Sequence, residues 1–343
     1  MVQKNNGFNR GVFPLHSHTK LRSLVGYDFE TLSKIADKVG QYYSPFDLFQ
    51  KGKWRHIDRP TGLLVDIQKR IQRKLLSTIT FPGTLVGAIP GKSIVENASF
   101  HTGKAVVVAI DLRDCFPRTS HIKVFSSFRE ILGCTPEISN LLTKLTTFHR
   151  RAPQGTATSP TLVNLTLLPL HDEIAQICRT LGLVWSFYID DIVFSGVRAR
   201  VAIGPIIKAV QRHGHAIRHK KIKIMPHSEL QKVTGLVVNE KISLPKEYTE
   251  NLRREILAIS ELEVIPEQDL QSVKGKINYV KRVCPVRGIS VEKFAEDRLP
   301  EVGQMTPKDS SRITRECHDT SVHNYYKKEK TTQNLPPLVS SQN

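Results

Sequence analysis

The sequence predicts an α+β fold in which a small antiparallel sheet is backed by helices. Two observations carry this. Short runs rich in β-branched and aromatic residues, at 106–110, 184–189 and 192–194, read as strands, the last two as one hairpin. Around them lie stretches with a helical rather than an alternating period, among them 63–80, 136–147 and 161–181. At 343 residues the chain can bury a sizeable core and divide into two or three subdomains.

Lys and Arg exceed Asp and Glu by 18, and the pI is near 9.8. A balance this basic favours a polyanionic partner, most simply nucleic acid. The five cysteines (115, 134, 178, 284, 317) form no CxxC pair, which argues against a zinc ribbon or disulfide scaffold and fits a reducing cytoplasm. No apolar secretory segment opens the chain, and the longest aliphatic run, Ala105–Ile110, is too short to span a bilayer, so no membrane partner is expected.

Residues 1–22 are polar and basic; His16 and His18 lack companion ligands and read as surface residues. A small helical region is expected over 27–50, followed by a basic strand, Lys51-Gly-Lys-Trp-Arg-His-Ile57. Leu63, Ile67, Ile71, Leu75 and Ile79 then recur every four residues on a basic amphipathic helix. Gly91-Lys92-Ser93 does not make a phosphate loop, because position 86 is Val where the motif needs Gly and no strand precedes it.

The hairpin carries two adjacent carboxylates, Asp190 and Asp191, between dry strands. They read either as an ordinary Asp-containing turn or as a metal site whose mutual repulsion a divalent cation relieves. A third carboxylate decides between these readings. Val106–Ile110 runs as a buried strand straight into Asp111, and a carboxylate at the end of a buried strand is rigidly held. Asp114 reads as a further ligand or, better, as the cap of a helix around 120–132. Gln154-Gly155 sits in a turn-rich loop that opens the long helix over 161–181, with Pro169 inside it.

A strand ending in Asp, a Pro-Gln-Gly…Ser-Pro loop and Tyr-x-Asp-Asp on a hairpin, in that order, resemble the reverse transcriptases over roughly residues 45–285. Asn97-Ala-Ser-Phe-His101, Val233-Thr-Gly235 and Gly275-Lys-Ile-Asn-Tyr-Val280 are similar to elements of the bacterial retron enzymes. The resemblance implies a right hand: an N-terminal extension (1–45), fingers (46–105), palm (106–240), helical thumb (241–285) and a C-terminal tail (286–343), disordered or partner-binding. Asp111, Asp190 and Asp191 would hold two Mg²⁺ ions, with the Leu112 carbonyl as an added ligand. Phe116 would gate the sugar, Gln154 would line the nucleotide pocket, and Lys53 and Arg55 would clamp the triphosphate of a dNTP. Val233, Thr234, Gly235, Asn97, His101, Lys274 and Lys276 would face RNA.

The implied activity is RNA-directed DNA synthesis on a cognate structured non-coding RNA. The product would be a short single-stranded DNA joined to RNA, made for anti-phage defence with an accessory effector protein. Since no RNase H domain is expected after the thumb, a host RNase H would remove the template. A group II intron-type or other defence reverse transcriptase is the nearest alternative. A non-catalytic RNA-binding scaffold is the alternative of another class, and the presence of all three carboxylates speaks against it.

Overall fold

In a computed structural model, described for residues 7–50 and 52–299, the chain begins with α1 (His18–Val25) and α2 (Phe29–Asp37), N-capped by Ser17 and Asp28. A two-stranded sheet of β1 (Tyr43–Gln50) and β2 (Lys53–Pro60) follows. The helical region expected over 27–50 is therefore helix only in its first half. Next come α3 (Gly62–Arg70) and α4 (Ile94–Ser99), then β3 (Val106–Asp111), α5 (Cys115–Arg118) and α6 (His121–Ser126). The helices α7 (Pro136–Thr146) and α8 (Ser159–Leu181) lead to the hairpin β4 (Val184–Tyr188) and β5 (Asp191–Ser195). After α9 (Ala199–Arg212) come β6 (Lys223–Pro226), β7 (Lys232–Val233) and β8 (Leu236–Val237). The last elements are α10 (Lys246–Ser260), α11 (Glu267–Val283) and α12 (Pro285–Glu296).

The chain divides into two compact units. One runs through Arg55–Ile242 and takes in the segment before Leu48; the other starts at Ser243 and takes in Phe49–Trp54. In the first, β4, β5, β3 and β6 lie side by side in one antiparallel sheet. One face, with Val108, Ile110, Phe187, Ile192 and Phe194, is buried in a core shared with Leu165, Leu170 and Ile174 of α8 and Ile206 and Val210 of α9. Burial on that face fixes the register, since a slip of one residue would turn every side chain over. The second unit packs α10, α11 and α12 together through Leu252, Ile256, Val273, Ile277, Val280 and Val291. The tail expected over 286–343 instead begins as helix α12, which continues the three-helix packing past 285; residues 300–343 of that tail lie outside the described residues.

Two segments depart from their sequence reading in an instructive way. After Arg70 the helix relaxes into a π-helical turn, Ile71–Leu75, and then a 3-10 turn, Leu76–Thr78. A strict spacing of four outruns the α-helical 3.6, and the wider π turn keeps Ile67, Ile71 and Leu75 on one buried stripe. Leu63 falls off that stripe at 50% exposure, and Leu64 takes the buried place. Residues 233–238, whose β-branched run reads as a single short strand, form instead a hairpin. Thr234 (φ 46) and Gly235 (φ 85) both lie in the left-handed region, as a two-residue turn of this kind requires, and the β-branched Thr234 is strained there.

Because Ile71 is fully buried and Leu63 is not, Ile71→Ala should lower stability by about 2–5 kcal/mol, whereas Leu63→Ala should cost well under half of that. Urea unfolding of the two variants beside the parent chain checks the assignment; equal losses would contradict it.

Candidate active site

The sheet register brings the carboxylates together. Asp111, the last residue of β3, is the direct cross-strand partner of Asp191, the first residue of β5. Paired residues share a face, so Val107, Ala109 and Asp111 line up with Ser195, Val193 and Asp191, and these with Val184, Ser186 and Tyr188. Asp190 occupies the two-residue turn between β4 and β5, and its carbonyl accepts a hydrogen bond from the Leu112 N–H at 2.8 Å. The turn's other residue, Ile189, has φ 58, a costly conformation for a β-branched side chain.

What holds that turn is the segment 84–87. The Val86 N–H donates to the Phe187 carbonyl at 2.8 Å, and the Phe187 N–H donates to the Thr84 carbonyl at 2.8 Å. A Cβ on Gly87 would lie 2.3 Å from the Ile189 nitrogen, so position 87 admits no side chain. The amide of the fully buried Asn164 on α8 donates to the Gly87 carbonyl at 2.8 Å and fixes the clamp from behind.

Burial in this corner, beside other carboxylates, raises the proton affinity of Asp190 and Asp191. Burial, then the charges of Asp190 and Asp111, push Asp191 up to about 6. Burial is also the largest cause of the rise at Asp190, with Asp111 adding to it. Counter-charge comes from the segment before β6. Lys221 Nζ donates to Asp111 Oδ2 at 2.9 Å, while Arg218 lies 3.4 Å from Asp111 Oδ1 and 3.0 Å from Asp114. Asp114 is thus paired with Arg218 and makes no side-chain cap; with φ 52 it turns the chain between β3 and α5.

The donor set fits a hard divalent cation: it is all oxygen, and Asp111 Oδ1 is buried without a hydrogen-bond partner. With Asp111 turned to Lys221 and Arg218, no three ligating side chains among the described residues converge on one point.

The other predicted residues separate into groups. Phe116 is half-buried in the first turn of α5, just past the loop that leaves Asp111. Gln154 is half-buried, and its carbonyl accepts from the Asp58 N–H at 2.7 Å, tying the 151–158 loop to β2. Lys53 and Arg55 lie exposed on β2. Asn97 and His101, read as RNA-facing, are fully buried and bonded within the protein. The His101 ring contacts the hydroxyls of Ser195 at 2.7 Å and Ser186 at 2.8 Å. Val233 is buried, the Thr234 hydroxyl donates to the Ile94 carbonyl at 3.3 Å, and Gly235 is exposed. Lys274 and Lys276 are half-buried on α11, and the Lys276 ammonium is paired with Glu255 at 2.6 Å.

Sequence reasoning missed Lys221, Arg218 and Gly87. The basic run 213–225 reads as a phosphate-facing or solvated surface, and nothing local says that it folds back onto Asp111. Gly87 lies one residue out of register with a rejected motif, which hid its role.

Residues 38–238 match the family model described as reverse transcriptase (RNA-dependent DNA polymerase). The chain is 30% identical over 264 residues to the Retron Ec86 reverse transcriptase of Escherichia coli, which covers 74% of this chain and 80% of that protein. It is 26% identical over 307 residues to the Retron Se72 reverse transcriptase of Salmonella heidelberg (strain 579083-10), covering 84% and 80% respectively. Among solved structures, telomerase from Candida albicans with a fragment of telomeric RNA matches at 10% identity and a TM-score of 0.45, over 90% of this chain and 71% of that one.

The pKa shift at Asp191 carries a stability prediction. A carboxyl whose folded pKa lies above its unfolded value binds extra protons in the folded state. Its contribution therefore favours folding below about pH 4 and is lost as pH rises through about 6. Asp191→Asn should raise the Tm of the metal-chelated protein by roughly 2–4 °C at pH 7.5, and by less at pH 4.5. Thermal melts across pH in chelator test this; a substitution that lowers Tm equally at both pH values would remove the repulsion argument.

Proposed function

This chain belongs to the reverse transcriptase (RNA-dependent DNA polymerase) family, in its bacterial retron group, and on that premise we propose that it copies a cognate structured RNA into a short single-stranded DNA that stays joined to RNA. RNA-directed DNA polymerase activity, with RNA as template, comes with the family. No helix among the described residues is long and apolar enough to cross a membrane.

The observation that most supports a working polymerase is the cross-strand pairing of Asp111 with Asp191, with Asp190 in the adjoining turn. In this reading Asp111, Asp190 and Asp191 hold two Mg²⁺ ions, which when bound activate the primer hydroxyl and neutralise the departing pyrophosphate. Lys221 and Arg218 balance the charge of Asp111, which would hold an ion in place of these partners. Phe116, just past the Asp111 loop, excludes a 2′-hydroxyl from the incoming sugar. Gln154 lines the nucleotide pocket, and Lys53 and Arg55 meet the triphosphate through charge-assisted bonds.

The four-stranded sheet with its backing helices is the palm, β1–β2 belongs to the fingers, and α10–α12 form the thumb. RNA recognition falls to the exposed turn at Gly235 and to α11. There the exposed Arg282 joins Lys274 as a backbone contact. Asn97, His101 and Val233 support the Gly235 turn from within, since their side chains are buried. The DNA product serves anti-phage defence with an accessory effector, and a host RNase H trims the template.

Cells carrying the gene with its flanking DNA provide the test. RNase-treated nucleic acid should contain a discrete short DNA that is absent from an Asp190→Ala, Asp191→Ala strain and shifts after debranching. If no such band forms while the purified protein extends a DNA primer on RNA, the cognate-RNA reading fails and a reverse transcriptase of broader template use remains. In single-nucleotide extension, Phe116→Ala should raise ribonucleotide incorporation relative to deoxyribonucleotide; unchanged sugar selectivity would rule out the gate.

A further inference from the structure

His101 is fully buried, and both of its ring nitrogens are engaged. Its partners sit on different strands of the carboxylate hairpin: Ser186 on β4 and Ser195 on β5, each fully or almost fully buried. By register the two serines share the face that carries Asp191 and Tyr188. Each stands four residues from an aspartate in the sequence, Ser186 before Asp190 and Ser195 after Asp191. The imidazole therefore ties the two strands together on the side of the sheet where the carboxylates lie, about 13 Å from the tip at the usual strand rise.

The ring's other end is anchored in a segment that is itself stitched to the β7–β8 hairpin. The Gly103 N–H donates to the Val238 carbonyl at 3.0 Å, Thr234 donates to the Ile94 carbonyl at 3.3 Å, and the Gln231 amide donates to the Lys104 carbonyl at 2.9 Å. Asn97, on the same helix α4, reaches toward Thr234 at 3.5 Å. Segment 94–104 thus joins the Val233–Gly235 turn to the hairpin, and His101 supplies its side-chain bonds to that hairpin.

We propose that His101 is a positioning residue for nucleotide addition: by bonding Ser186 and Ser195 at once, it fixes the seat of the Asp190–Asp191 hairpin on the segment that carries the Val233–Gly235 turn. The inference rests on the polymerase reading above. Direct RNA contact is excluded by burial, and the serines that His101 bonds stand four residues along their strands from the carboxylates, so it acts through the hairpin. Its chemistry suits the task. A neutral imidazole offers one donor and one acceptor, and two hydroxyls can rotate to match them. Burial pushes the ring down to about 3, so it stays neutral at working pH. An apolar side chain would fill the space but leave two buried hydroxyls unpaired.

The test is single-turnover incorporation by the full chain on an RNA template with a DNA primer, with active sites counted from the burst amplitude. His101→Leu should lower the rate constant per active site by about ten-fold or more while leaving nucleotide affinity within roughly two-fold. His101→Gln, whose amide can both donate and accept, should recover most of that rate. If His101→Leu reduces Tm and burst amplitude but leaves the rate constant per site unchanged, the residue only stabilises the fold and the proposal is overturned. Should His101→Leu fail to fold, the double variant Ser186→Ala, Ser195→Ala removes the same two bonds, and an unchanged rate constant there is equally fatal. A wild-type chain that extends nothing, with folding verified, instead overturns the polymerase reading.

Discussion

Carboxylates repel, and the first unit is arranged around keeping three of them close. Water would screen that repulsion, but the corner formed by the end of β3 and the β4–β5 turn is half-buried; burial first, and the neighbouring carboxylates after it, raise the proton affinity of Asp190 and Asp191. A flexible loop would relieve the strain by letting the groups drift apart. A sheet cannot, because Asp111 and Asp191 are locked opposite each other by a ladder that continues to Val107 and Ser195. The dry face of that ladder, with Ile110, Ile192 and Phe194 in the core, resists any slip of register. The charge problem is met from outside the sheet, by Lys221 and Arg218.

The same rigidity explains the strained turn. Ile189 sits at φ 58 because the chain must reverse in two residues and still deliver Asp190 beside Asp111. Such a conformation survives where its surroundings over-determine it. Here they do: Thr84, Val86 and Gly87 bond or press against Phe187–Ile189, and Asn164 holds Gly87 in turn. The missing side chain at position 87 and the left-handed Ile189 are one feature, seen from either side of a contact that leaves no room for a methyl group.

The sequence displayed what depends on local pattern. Asp111 was legible because a β-branched run ends on it, and Asp190 and Asp191 because two apolar runs flank them. The helices α7 and α8 followed from their period. Hidden features depend on partners distant in sequence. That Lys221 meets Asp111 across 110 positions cannot be inferred from a basic run, which looks alike whether it faces solvent, phosphate or a carboxylate. The resemblance of Asn97–His101 to a retron element points His101 toward RNA, whereas its satisfaction by Ser186 and Ser195 appears only once the strands are side by side. Helix α12 escaped because its apolar residues are not confined to one face: Val286 and Ile289 are exposed while Val291 and Ala295 are buried.

The sheet's carboxylate-bearing face also explains why segment 94–104 matters. Near the open end of that face stand Asp111, Asp191 and Tyr188; farther down, Val107 and Met225 are buried, and Ser186 and Ser195 are closed over by His101. An uncovered lower half would let water compete for the two serines and loosen the base of the hairpin. Covering it with apolar groups alone would leave those hydroxyls unpaired. A buried polar cover satisfies both demands, at the cost that each of its donors and acceptors must be met. Among the described residues, Asn97 Oδ1 on α4, beside the Thr234 turn, and Gln231 Oε1 are buried there without a hydrogen-bond partner.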